Sequence, residues 1–137
     1  MNSQQAKEWL NRDFGLWKQL RSLYHRRDSQ TFANISQYEE GFSSTAGNRS
    51  EMKMMSYAEL NSRIEKLERQ LKASDKVTKQ ILENVTDSVY WSILTDRYIS
   101  RLGWNQIAKN HNYSRAQIFR IHGEALVEVR RFVPDEE

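Results

Sequence analysis

The chain contains no cysteine and no long apolar run. Without cysteine it forms no disulfide and no thiolate metal site, and this is compatible with an intracellular location. No stretch of about 18 apolar residues occurs, so no transmembrane helix is expected. The first residues also lack an apolar run behind a basic stretch. We therefore expect a soluble, unexported, cytoplasmic protein that makes no contact with a membrane.

Catalytic and metal-binding patterns are also missing. His111 and His122 have no third ligand at a plausible spacing, so no metal is predicted; His111 is expected to be a partly buried turn residue and His122 a helix-surface group. No pocket-forming pattern surrounds Asp87, Asp96 or the acidic end at 135–137. We therefore expect no enzyme activity, no catalytic residue, no cofactor and no small-molecule substrate.

Length and charge describe a small domain that is basic at one end. The 137 residues are 38% hydrophobic, which supports one modest core with appendages. The net charge is only +3. Residues 97–131 nevertheless hold seven Arg and Lys against two Glu, while the acidic tail 132–137 holds three acids. Positive charge is thus concentrated near the C-terminus.

The first half of the chain predicts two helices and a linker. Apolar residues within 4–27 recur at helical spacing, so residues 1–28 are predicted to form an N-terminal amphipathic helix. Residues 29–56 are rich in Ser, Thr, Asn, Gln and Gly, which favours a flexible polar linker. Apolar positions then step by three and four from Tyr57 to Val85, and this pattern predicts a long heptad-patterned helix over 57–86.

This pattern admits two arrangements. In one, the N-terminal helix folds back on the long helix as an antiparallel hairpin, because the linker is long enough to span the return path. In the other, the long helix pairs with a second copy of the chain in a coiled coil. Ser74 and Thr78 interrupt the apolar seam and disfavour a long parallel coiled coil, although Trp9, Trp17 and Tyr24 offer bulky side chains to fill that stretch. The hairpin is favoured, and a homodimer stays open.

Residues 87–131 predict three short helices. Cap residues at 86–88 precede a supporting helix whose Tyr90, Leu94 and Tyr98 share a face. Gly103 is expected to begin a second helix, from Trp104 to about Lys109. Asn112 tolerates the left-handed backbone of a tight turn.

The third helix has the clearest start. Ser114 and Gln117 match a capping box, and the helix is predicted over about 115–131. Its inward stripe consists of Ile118, Ile121, Ala125, Leu126 and Val129. The sequence therefore predicts an all-α fold, with a helical hairpin or coiled coil followed by a C-terminal helix-turn-helix DNA-binding unit at 87–131.

The opposite, N-terminal face of this third helix carries side chains suited to base pairs. The candidates for base reading are Arg115, Gln117, Phe119 and Arg120. Arginine offers paired donors to guanine, glutamine pairs with adenine, and an apolar group meets the thymine methyl. The candidates for phosphate contacts are Asn105, Lys109 and Ser114.

The same segment resembles a known family. The positions that carry the resemblance are Tyr98, Trp104, Ile107, Ala108, Ser114, Ile121, His122, Gly123, Ala125 and Leu126. They are similar to region four of bacterial sigma factors, and still more to the small phage regulators of the ArpU and RinA type. The likeness covers about residues 90–130. It implies an activator of phage late genes, encoded by a phage or prophage and acting in a bacterial host cell.

The expected function is therefore sequence-specific binding of double-stranded DNA by a transcription regulator, with the third helix in the major groove. The first half is expected to dimerise or to contact RNA polymerase. The alternative is a protein-interaction module that binds RNA polymerase or another regulator and has little DNA affinity of its own. The mild net charge is consistent with that alternative, because strong nonspecific DNA binders are usually more basic.

Overall fold

The computed structural model describes residues 1–40 and 56–135, with the side chains of 1–29 and 56–135. Across these ranges the chain is helical and has no strand, which confirms the all-α class for this part of the chain. The helices are α1 (Ser3–Leu10), α2 (Phe14–Glu40), α3 (Tyr57–Leu82), α4 (Ser88–Tyr98), α5 (Trp104–His111) and α6 (Arg115–Val129). None of the described helices has the length and apolar content to span a bilayer.

The chain divides into two compact units. The first contains residues 1–13 and 73–137, and the second contains residues 14–72. The long helix α3 contributes residues to both units. Its first sixteen residues belong to the second unit, and the remainder belongs to the first.

The N-terminal helix predicted over 1–28 is interrupted, and that prediction is corrected. Helix α1 ends at Leu10, and α2 begins at Phe14. The Arg12 guanidinium donates to the carbonyls of Trp9 (3.0 Å) and Ser74 (3.1 Å) and to Thr78 Oγ1 (3.0 Å). Asp13 accepts a hydrogen bond from the Ser74 hydroxyl. Ser74 and Thr78, which interrupt the apolar face of α3, therefore form hydrogen bonds with the turn between α1 and α2.

The predicted linker is also shorter than expected. Helix α2 continues to Glu40, so residues 29–40 of the predicted 29–56 linker are helical. Residues 41–55 lie outside the described residues. At the other end, α3 stops at Leu82 rather than at residue 86, although Val85 beyond it is buried.

One apolar cluster packs α2 against α3 among the described residues of the second unit. Its buried members are Leu20, Leu23, Leu60, Ile64 and Leu71, with Leu16, Trp17, Tyr24 and Leu67 packed against them. Trp17 and Tyr24 therefore pack in this cluster rather than beside Ser74 and Thr78. The predicted apolar stripe of α3 is confirmed at Leu60, Ile64 and Leu71, but Tyr57 at its start is 51% exposed.

The first unit has two apolar clusters. One joins α1, the end of α3, α4 and α6, with buried members Ala6, Trp9, Leu10, Leu82, Val85, Leu94, Tyr98, Ala125, Leu126, Val129 and Val133. The other joins α4, α5 and α6 through Ile93, Ile107, Ala108, Ile118 and Ile121. All five predicted inward residues of α6 are buried. Val133 belongs to the predicted acidic tail but lies in the core.

Candidate nucleic-acid interface

The turn between α5 and α6 forms as the sequence predicts. Gly103 precedes α5 in an extended conformation. Asn112 adopts a left-handed conformation with a φ of 58°, which an asparagine accepts more easily than most residues. The Tyr113 N–H then donates to the Ala108 carbonyl at 3.0 Å. This bond closes the turn two residues before α6 begins at Arg115.

The predicted capping box at the start of α6 is confirmed. The Ser114 hydroxyl accepts from the Gln117 N–H at 3.2 Å, and Gln117 Oε1 accepts from the Ser114 N–H at 2.9 Å. This bond fixes the Gln117 side chain before any ligand arrives. Its amide nitrogen is the donor that stays available, so Gln117 is better arranged to contact a purine N7 than to pair with adenine through both atoms.

The candidate base-reading side chains lie on the outside of α6. Arg115, Gln117, Phe119 and Arg120 are all exposed, and we call these four residues the α6 face. No Asp or Glu occurs between residues 97 and 123. The α6 face is therefore basic, and Glu124 beyond it is the acidic residue paired with Arg120; a basic surface of this kind attracts a phosphate backbone.

An aromatic contact orients one side of the α6 face. Phe119 is 43% exposed, and its ring meets the Trp104 ring edge-on with 5.2 Å between centroids. The Arg115 guanidinium lies 5.5 Å from the Phe119 ring centroid. Trp104 at the start of α5 therefore supports Phe119, and Phe119 in turn supports Arg115. This support restricts the rotamers of both side chains before binding.

A different contact orients Arg120. Its guanidinium lies 3.5 Å from Glu124, and the Tyr90 hydroxyl of α4 donates to the same carboxylate at 3.0 Å. The hydrogen bond to Glu124 raises the pKa of Tyr90. This arrangement was not predicted from the sequence. The four-residue spacing of Arg120 and Glu124 was a usable signal, whereas the link to Tyr90 depends on how α4 packs on α6.

The candidate phosphate residues are exposed as well. Asn105 and Lys109 are one turn apart on α5, and Ser114 begins α6. Two other basic residues nearby already have partners within the protein. Arg101, whose side chain is only 8% exposed, forms an ion pair with Asp75 at 2.7 Å, and Arg97 lies 4.4 Å from the Trp104 ring centroid. Neither basic residue was singled out from the sequence.

His122 is not a helix-surface group, and that prediction is wrong. It is 6% exposed, its Nε2 lies 2.7 Å from the Tyr98 hydroxyl, and its ring meets Trp104 edge-on. Burial, together with the nearby positive charges of Lys7 and Arg97, lowers the pKa of His122 from 6.5 to about 4. Burial likewise raises the pKa of Tyr98. The position of His122, four residues after buried Ile118, was the signal that points inward.

His111 is half-buried beside the turn, as predicted, and its Nε2 lies 3.0 Å from Asp96. This pair holds the end of α5 against α4.

Comparisons with family models, with curated proteins and with solved structures gave no match.

Proposed function

We propose that the first unit binds double-stranded DNA in a sequence-specific manner and that the protein regulates transcription. In this proposal α5, its turn and α6 act as a helix-turn-helix, with α6 in the major groove. The observation that carries it is the α6 face. Two arginines, a glutamine and a phenylalanine are exposed at the capped start of α6, while two apolar clusters hold its other side.

Each member of the α6 face has a role that follows from its contacts. Arg120 presents paired donors to guanine from a position that Glu124 and Tyr90 support. Phe119, backed by Trp104, meets a thymine methyl, and Gln117 contacts a purine N7 through its amide nitrogen. Asn105, Lys109 and Ser114 bind phosphates and set the position of α6 in the groove.

The regulatory role as an activator of phage late genes rests on the resemblance of residues 90–130 to the ArpU and RinA type. Contacts in the second unit support the antiparallel hairpin. Tyr24 donates to Glu68 at 2.5 Å, and Arg27 further along α2 donates to Asn61, which is earlier in α3. A dimer formed through this region would place symmetric half-sites about one helical turn of DNA apart, or a multiple of it.

The deciding experiment selects bound fragments from random duplex DNA and measures the mass of the complex. We expect a defined motif, and affinity that falls by orders of magnitude between about 50 and 200 mM salt because several phosphates are neutralised. A flat salt response together with no enriched motif would contradict DNA recognition. The mass decides between one and two copies of the chain.

Arg120→Ala tests the assignment of a base-reading residue. We expect a loss of about 1–3 kcal/mol on the selected site and a relaxed preference at one base pair, because a guanine contact is removed. The matched control is Arg130→Ala, which removes an exposed arginine at the far end of α6. An equal loss on every sequence would reassign Arg120 to phosphate binding.

A second candidate function is a protein-interaction module that binds RNA polymerase or another regulator. It is favoured by the exposed apolar side chains Val89 and Trp91 on α4 and Val127 on α6; Trp91 is 44% exposed and Val127 49%. Exposed residues of this type are common in protein interfaces. Trp91→Ala is expected to weaken polymerase binding and leave DNA affinity unchanged if this function holds.

A further inference from the structure

A basic stripe runs along the outside of α2 in the second unit. Lys18, Arg21, His25 and Arg26 are exposed on it; no acidic residue occurs between residues 14 and 27, and the exposed Asp28 marks the end of the stripe. The opposite side of the helix is apolar and packed, with Leu20 5% and Leu23 9% exposed. The stripe is therefore a one-sided cationic surface on a supported helix.

Aromatic rings hold two of the cations in place. The Lys18 ammonium lies 5.0 Å from the Phe14 ring centroid, and the Arg21 guanidinium lies 5.0 Å from that of Trp17. The two rings stack on each other at 5.6 Å. Such contacts limit side-chain freedom, so less entropy is lost when an anion binds.

The stripe is not neutralised within the part of the chain that the structure describes. Glu68 of α3 accepts a hydrogen bond from the Tyr24 hydroxyl of α2. Lys18, Arg21 and Arg26 make no ion pair with any described carboxylate. Among the described residues these three cations therefore have no carboxylate partner, and this favours an external anion as their ligand.

We propose that this stripe, with Lys18, Arg21 and Arg26 at its centre, binds the phosphate backbone of duplex DNA as a second contact surface. The inference rests on the proposed function for the choice of DNA as ligand. From Lys18 to Arg26 the helix rises about 12 Å, over which one DNA strand carries about three to four phosphates. An interfacial membrane helix would need a free apolar face, and the apolar face of α2 is packed against α3.

The test compares two triple variants of the full chain. One replaces Lys18, Arg21 and Arg26 by glutamine. The matched control replaces Lys66, Arg69 and Lys72, which are exposed on α3 of the same unit and interspersed with Glu65 and Glu68. Both remove three charges, so general electrostatic attraction falls equally. The probe is a mixed-sequence DNA duplex of about 30 base pairs, titrated over a salt series, with circular dichroism to verify helicity.

We expect the stripe variant to reduce the slope of log Kd against log salt by about 2 to 3, since each lost phosphate contact contributes about 0.9. The control is expected to change it by less than about 1. Equal changes in both variants, or no change in the stripe variant, would overturn the proposal. Retained DNA binding with lost binding to anionic lipid vesicles would overturn it in favour of a membrane surface.

The two proposals fail in different measurements. If α6 does not read bases, random-sequence selection yields no motif, while the slope still separates the stripe variant from its control. If the stripe does not bind DNA, the motif persists and Arg120→Ala still relaxes it, while the two triple variants behave alike.

Discussion

The two units of this chain are built in different ways. Among its described residues the second unit relies on one apolar cluster between two long helices, and its polar contacts include the exposed pair Tyr24 and Glu68 and the partly buried pair Arg27 and Asn61. The first unit uses shorter helices and adds buried or half-buried polar pairs to its two apolar clusters. They include Arg101 with Asp75, His122 with Tyr98 and His111 with Asp96.

This difference follows from helix length. A long helix supplies many apolar residues to one face, so its packing needs few specific polar contacts. Helix α5 has eight residues, and its ends and turns are a large share of its backbone groups. Caps and polar pairs must satisfy these groups. We therefore expect mutations of polar side chains to destabilise the first unit more than the second.

Ile121→Ala is expected to have the largest effect on stability. Ile121 is 8% exposed and packs between α4, α5 and α6, so truncation leaves a cavity and should cost about 2–5 kcal/mol. Urea unfolding measures the loss. The control is Phe119→Ala, two residues earlier on the exposed side of α6. An unchanged melting temperature for Ile121→Ala would contradict the core assignment.

Asp75→Ala tests the contrast between polar contacts directly. The Arg101 side chain is 8% exposed, so removal of its carboxylate partner leaves a buried charge without a counter-ion. The expected loss of stability is about 2–3 kcal/mol, which is less than for a fully buried pair because Asp75 is partly exposed to solvent. Glu68→Ala in the second unit removes an exposed partner and should cost less than about 1 kcal/mol. Equal losses of unfolding free energy in Asp75→Ala and Glu68→Ala would contradict the proposed difference between the units.

The pH dependence of stability should reveal the buried His122. Its pKa of about 4 in the folded state lies below the ordinary 6.5, so protonation favours the unfolded chain. The contribution of neutral His122 to the free energy of unfolding is fully present above about pH 6.5, and it is lost as the pH falls toward 4. The loss should reach about 2 kcal/mol near pH 5.

The control for that measurement is His122→Gln, which cannot titrate in this range. Its stability should fall less between pH 7 and about pH 5 than that of the unsubstituted chain. An identical fall in both proteins would assign the pH dependence to other groups.

Local spacing predicted helices α4, α5 and α6 well. The capping box at Ser114, the left-handed Asn112 and the inward residues of α6 depend on neighbours a few residues away. The break between α1 and α2 was missed because Leu10 and Leu20 fit one apolar stripe, although they pack in different clusters. Spacing reports that a residue is buried, and not which core receives it.

The candidate site divides in the same way. The exposure of Arg115, Gln117, Phe119 and Arg120 followed from helical periodicity. Their supports did not, because Trp104, Tyr90 and the buried His122 act across helix boundaries that only tertiary packing brings together. Arg101 and Asp75 are 26 residues apart and carry no local pattern.

Ser114→Ala is the smallest effect we predict, and it separates stability from recognition. Loss of the hydroxyl removes the cap at the start of α6 and should cost about 1 kcal/mol in urea unfolding. Because the cap also holds Gln117 through its reciprocal bond, base preference at the position that Gln117 contacts should relax. Ser114→Asp retains an acceptor for the Gln117 N–H and should restore stability, but its charge repels phosphate and should weaken DNA binding on all sequences. Restored binding in Ser114→Asp would show that Ser114 contacts no phosphate.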